Sequence, residues 1–239
     1  MNSNQVLLPF LIGKIYLIES FGLVFVNYKI KVMVPAWLKN VENSQHLETS
    51  ANNIVDEKYR IGDRFSIAKF ATEELELEIF EAEFENPKRF GAIVKENDKW
   101  SVFVNKDLDP QLRRVTVAHE IGHYLYSFAP GSKTKEYFEK NTLIKDDGSV
   151  EAAYLYKDGF SGLCSGRVDA ENKIDDVAGV ENEANKIASS LLMPEDSIRS
   201  YVNQGLEISE MADLFDVPVP VVIGRLHHLK LLSKYSNIR

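Results

Sequence analysis

One cysteine, Cys164, stands among 239 residues, and an intrachain disulfide needs two. The same scarcity removes Cys-only and Cys₂His₂ zinc sites. A chain that folds without disulfides suits a reducing compartment, so a cytoplasmic location is expected. An excess of positive charge is also missing. Lys and Arg number 28 against 36 Asp and Glu, a formal net charge of −8. That balance argues against non-specific nucleic-acid binding, because phosphate contacts need a basic surface; a local basic face is still compatible with it. There is no internal repeat and no low-complexity tract. With 44% hydrophobic and 27% charged residues, the composition excludes a collagen, a mostly disordered chain and a polytopic membrane protein. The length allows one large domain or two small ones.

The strongest apolar stretch runs from Val6 to Val26, VLLPFLIGKIYLIESFGLVFV. Lys14 and Glu19 interrupt it, and a charge near the centre of a spanning helix costs ~2.5–3.5 kcal/mol. No positive residue precedes the run and no small-residue cleavage site follows it, so a signal peptide and a membrane span are both disfavoured. The two apolar halves read as short strands. Ordinary soluble sequence begins after Met33, which suggests a natural start there, with residues 1–32 as an appendage or a misplaced start. Mass spectrometry of the natively expressed N-terminus checks this, and peptides from before Met33 would refute it.

The remainder of the chain is patterned as an α+β protein. The stretch from Pro35 to about Tyr59 is polar and helix-compatible, and Ser66 is placed to cap a short helix through Glu74, with Ile67, Phe70 and Ala71 on one face. Strands are expected from Leu77 to Phe84, Phe90 to Lys95 and Trp100 to Val104, the last two joined by a turn at Glu96-Asn97-Asp98-Lys99. Asp109 before Pro110 is a strong helix start: an N-cap acceptor, then a residue with preset φ and no amide hydrogen to satisfy. This helix should reach about Tyr126. Residues 129–178 show little periodicity and read as a long loop region. A second helix is expected from about Val180 to Leu192, stopped by Met193-Pro194, then three shorter ones at 195–203, 208–215 and 218–230. The domain division predicted is an N-terminal extension at 1–50, a catalytic domain at 51–194 and a C-terminal helical segment at 195–239.

The first long helix carries His119-Glu120-Ile121-Gly122-His123. Residues four apart project from one helix face, one turn apart, and that spacing lets two imidazoles share a tetrahedral Zn²⁺. Glu120, beside the first of them, is placed to take a proton from an attacking water. Glycine in a helix interior costs ~1 kcal/mol relative to alanine, so Gly122 suggests that something approaches the helix closely there.

A catalytic zinc with two histidines needs a third protein ligand. The second helix offers Glu181 and Glu183, on nearly opposite faces, so only one can face a metal. Glu181 is preferred, because it borders the apolar face of Ala184, Ile187, Ala188, Leu191 and Leu192. The alternative is that both are solvated first-turn residues favoured by the helix dipole. Asn185, four residues on from Glu181, shares its side and can orient a ligating imidazole by a hydrogen bond. His and carboxylate donors also suit Mn²⁺ and Fe²⁺.

The strings Val104-Asn105-Lys106-Asp107-Leu108, RRVTVAHEIGHYLY and ENEANKIASSLLMP together resemble the ImmA/IrrE family of zinc metallopeptidases, over about residues 53–230. The resemblance implies a zincin-like α+β fold, in which a small antiparallel or mixed sheet lies beside the HExxH helix and a second helix supplies a glutamate. It implies His119, His123 and Glu181 as metal ligands, Glu120 as the catalytic glutamate, and zinc as the cofactor. Its implied activity is a metalloendopeptidase whose protein substrate is a helix-turn-helix repressor of a mobile element or a stress response. The 131–178 insertion is longer than the family pattern, and residues 1–50 have no counterpart in it.

Three further features lie outside that match. Tyr154, Tyr156 and Arg167 are candidate donors to a developing oxyanion. Cys164 could reach a metal as a fourth ligand, but an ordinary loop thiol is the preferred reading. The segment ISEMADLFDVPVPVVIGRLHHLKLL resembles a helix-turn-helix with a basic end at Arg225, His227, His228, Lys230 and Lys234. It supports an alternative function, a non-catalytic regulator that binds DNA or a repressor. Packing of these helices on the catalytic domain is favoured over DNA binding, given the overall acidity.

Overall fold

A computed structural model describes residues 44–53, 58–84, 90–96, 99–129, 142–144, 150–152 and 175–235. The features expected in residues 1–43, and Tyr154, Tyr156, Cys164 and Arg167, lie outside the described residues. Among the described residues no helix is long and apolar enough to cross a membrane.

The architecture is α+β. In chain order come α1 (Ser44–Asn53), β1 (Arg60–Ile61), β2 (Arg64–Phe65), α2 (Ile67–Glu74), β3 (Glu78–Ala82), β4 (Gly91–Glu96), β5 (Lys99–Asn105) and α3 (Pro110–Ser127). There follow β6 (Thr142–Ile144), β7 (Val150–Ala152), α4 (Asp175–Leu192), α5 (Glu195–Gln204), α6 (Ile208–Phe215) and α7 (Val219–His228). The main sheet has three strands in the order β3-β5-β4. β4 and β5 form the expected hairpin, antiparallel with Gly91 opposite Val104, while β3 runs parallel to β5 with Phe80 opposite Phe103. Alternation along β5 turns Val102 and Val104 into the core and leaves Phe103 on the other face, stacked on Phe80 with ring centroids 5.3 Å apart.

Local chemistry explains most element ends. Asp109 accepts a hydrogen bond from the Leu112 amide at 2.9 Å, with Pro110 as the first helical residue of α3. α5 ends at Gly205, whose φ of 79° is a conformation that favours glycine. Three expectations need correcting. Ser66 precedes α2 but its side chain makes no capping bond; its amide instead donates to the Tyr59 carbonyl at 2.6 Å, which ties the helix start to the β1–β2 turn. The region expected to be loop from 129 to 178 contains an antiparallel pair, β6 with β7. α4 starts at Asp175 rather than near Val180. Gly179 discourages a helix locally, yet α4 runs through it and packs along α3 and α1.

The core is one cluster shared by every layer. Val115, Ala118, Ile121 and Leu125 of α3 meet Ile187, Leu191 and Leu192 of α4, and the cluster continues into Met211, Phe215, Val222 and Leu226 of the C-terminal helices. Arg114 of α3 fastens that junction, donating to the carbonyls of Phe65, Phe215 and Asp216 at 2.6, 2.7 and 2.9 Å. The C-terminal helices therefore pack on the α3–α4 layer. Two residues expected to form a basic surface instead pair with Glu48 of α1. Arg225 is fully buried, bonded to the Met193 carbonyl at 3.1 Å and to Glu48 of α1 at 3.0 Å. His228 Nε2 also lies 2.8 Å from Glu48.

Candidate metal centre

α3 and α4 meet at a point where α3 has no room for a side chain. A Cβ built on Gly122 would lie 2.3 Å from the Ala184 carbonyl oxygen and 3.0 Å from the Ala184 Cα. The bare glycine lets the two backbones touch, which is the close approach its position in the helix suggested. That contact sets the height at which α4 presents its polar face to the two histidines.

His119 and His123 project from one face of α3, with their Nε2 atoms 3.0 Å apart. Glu181 reaches across from α4: one carboxylate oxygen lies 3.5 Å from His119 Nε2 and the other 3.5 Å from His123 Nε2. Asn185 Oδ1 lies 2.7 Å from His119 Nδ1. With the Nδ1–H donating to that amide oxygen, Nε2 keeps its lone pair and faces the cluster. Glu183 points elsewhere, paired with Lys186 at 2.6 Å.

The donor set fits a tetrahedral ion. With metal–ligand bonds of about 2.0–2.1 Å, neighbouring donors of a tetrahedron stand about 3.3–3.4 Å apart. The separations of 3.0, 3.5 and 3.5 Å bracket that edge. Among the described residues these three side chains form the one group of His, Cys, Asp and Glu able to hold a metal ion.

Electrostatics in the cluster are those of a buried pair sharing little charge. Burial drives the His123 imidazole down to about 3, against only partial compensation from Glu181 and with the His119 charge adding to the effect. Burial also opposes the His119 cation, but Glu181, Glu120 and the Asn185 hydrogen bond together outweigh it and raise that pKa. An added proton is therefore favoured on His119 over His123. Glu120, 2% exposed, lies close enough for its charge to act on His119. Its carboxylate also borders β4, because a Cβ on Gly91 would come within 3.1 Å of Glu120 Oε1. Motif and spacing do not single out Gly91, although an isolated strand glycine does signal close backbone approach.

The α+β core thus brings two helical imidazoles and a carboxylate from a second helix together as a group that could hold a metal ion, with the buried Glu120 close enough for its charge to act on His119. Residues 72–147 match the family model Peptidase_M78, the IrrE N-terminal-like domain. The matched stretch contains His119, Glu120 and His123 and ends before Glu181 and Asn185. Among solved structures, a Mycobacterium tuberculosis transcriptional regulator is similar at 17% identity and a TM-score of 0.45, over 76% of this chain and 46% of that one. This chain thus spans less than half the length of that protein. No curated protein matches the chain.

Proposed function

We propose that this protein is a zinc-dependent metalloendopeptidase, with His119, His123 and Glu181 as metal ligands, Asn185 orienting His119, and Glu120 as the catalytic glutamate. The observation that carries this reading is the convergence of the His119, His123 and Glu181 donors within 4.8 Å of one another, in a chain whose residues 72–147 match a peptidase family model. When bound, the metal supplies a Lewis acid that polarises the scissile carbonyl and acidifies a water. Glu120 accepts the proton of the attacking water on its carboxylate and returns it to the leaving amine. Its burial keeps that carboxylate out of bulk solvent, where its charge acts at close range on the cluster. Residues 51–194 would carry this machinery, with 195–239 as a helical segment packed against it.

For the substrate we propose a helix-turn-helix repressor, and for the setting the cytoplasm. The net charge of −8 would attract the basic DNA-binding face of such a protein and speed the encounter. The alternative, a DNA-binding regulator, loses support from the burial of Arg225 against Glu48, which takes that basic side chain off the surface.

The test is metal analysis of the purified protein, paired with cleavage of a repressor encoded beside its gene. Glu120→Gln should retain zinc and fold while cleavage falls by ~10²–10⁴-fold. Cleavage at the wild-type rate by that variant would overturn the proposal.

A further inference from the structure

Gly91 opens β4 at the point where α3 passes beneath it, and a Cβ there would meet three groups. They are Thr116 Cγ2 at 2.6 Å, the Phe103 carbonyl oxygen at 3.0 Å and Glu120 Oε1 at 3.1 Å. Backbone conformation does not call for a glycine: among the described residues the glycines with positive φ are Gly62 and Gly205. The demand at Gly91 is for space. Of the three groups, the Phe103 carbonyl belongs to the central strand of the sheet, and Thr116 is tied by its hydroxyl to the Leu112 carbonyl at 2.8 Å. A Cβ would force Thr116 Cγ2, the tightest contact, to shift, and would also press on the Glu120 carboxylate, the one of the three at the end of a long side chain. Thr116 and Glu120 are one helical turn apart, so both present to the same strand.

We propose that Gly91 is a positioning residue for Glu120: its bare Cα leaves a slot between β4 and α3 that keeps the carboxylate turned towards the His119–His123 pair. This rests on the metallopeptidase reading of the site. A side chain at position 91 would narrow the slot and push the Glu120 carboxylate away from β4, while His119, His123 and Glu181, held by α3 and α4, stay in place.

The test uses zinc-loaded full-length protein and acetohydroxamate, a small chelator whose N–H and O–H protons need a carboxylate acceptor beside the metal. Zinc affinity is measured by chelator competition and acetohydroxamate affinity by calorimetry. Gly91→Ala and Glu120→Gln should each weaken acetohydroxamate by about tenfold or more, the loss of one charge-assisted hydrogen bond, with zinc affinity within about threefold of wild type. Adding Glu120→Asp to Gly91→Ala retracts the carboxylate by one methylene and should recover part of the binding. Adding Thr116→Ser instead removes the tightest contact, which protects folding, but should recover none. Unchanged acetohydroxamate affinity in Gly91→Ala overturns the proposal, as does full recovery on adding Thr116→Ser. Wild-type protein that takes up no zinc overturns the metallopeptidase reading itself, and this proposal with it.

Discussion

Asn185 controls which nitrogen of His119 carries the proton. Its amide oxygen, 2.7 Å from Nδ1, holds the ring in the tautomer that leaves Nε2 unprotonated. Asn185→Ala should therefore weaken zinc by about 10–100-fold, as loss of such an outer partner does elsewhere, with little change in the melting temperature of the zinc-free protein. Competition against a chelator of known affinity measures it. The two imidazoles also predict a pH dependence. Metal binding needs both of them neutral, and the raised His119 pKa means that protons compete from a higher pH than for an ordinary histidine. Zinc affinity should fall as pH drops, beginning above the ordinary histidine range. For the zinc-free fold the signs oppose. His123, lowered to about 3 against 6.5 unfolded, adds stability above its unfolded value that is lost between 6.5 and about 3. His119 adds stability below its unfolded value, lost as pH rises through its raised one. Melts of the zinc-free protein across that range, with and without His123→Gln, separate the two contributions. At this scale the sequence was informative where chemistry is local. The four-residue spacing of the histidines and the Asp109-Pro110 helix start could be read directly. Gly91 escaped because its neighbours, Thr116 and Glu120, are brought to it by the sheet–helix packing.

Between elements, the contact that matters is Gly122 against Ala184. A Cβ at 2.3 Å from a carbonyl oxygen cannot be absorbed by a rotamer change, because the obstacle is backbone. Gly122→Ala should force α4 away from α3, destabilising the fold by about 1–3 kcal/mol. It should also weaken zinc by drawing Glu181 and Asn185 back from the histidines. Thermal unfolding and zinc competition on one preparation check both; a stability loss without a change in zinc affinity would mean that α4 yields elsewhere. A glycine inside a helix announced close packing, and the alanines of the second helix announced a partner. The beginning of α4 was hidden, since the helix extends to Asp175 through Gly179, a residue that locally disfavours helix.

Across the whole molecule, Glu48 joins the first described helix to the last. Burial pushes its pKa up, but hydrogen bonds and charge from His228 and Arg225 bring it down to about 2 from 4.5. The stability it adds is present above pH 4.5 and lost as pH falls from there towards about 2. Glu48→Ala would leave Arg225 buried without that carboxylate, and breaking such a pair costs about 3–5 kcal/mol. Chemical denaturation at neutral pH should show a loss of that size, shrinking on acidification towards pH 2 as the wild-type carboxylate is protonated. Nothing in the sequence pointed to this pairing. Two residues 177 positions apart share no periodicity, and Arg225 reads locally as part of a basic helix end.

The same ion pair bears on how the protein is made. Because Glu48 and Arg225 are so far apart in sequence, their meeting closes most of the chain into one loop, and contacts of that kind form late in folding. On the ribosome, α4 could not receive its buttress from α1 and α7 together until α7 had emerged. A nascent chain already bearing His119, His123 and Glu181 would thus lack a settled arrangement of these side chains until Arg225 had emerged.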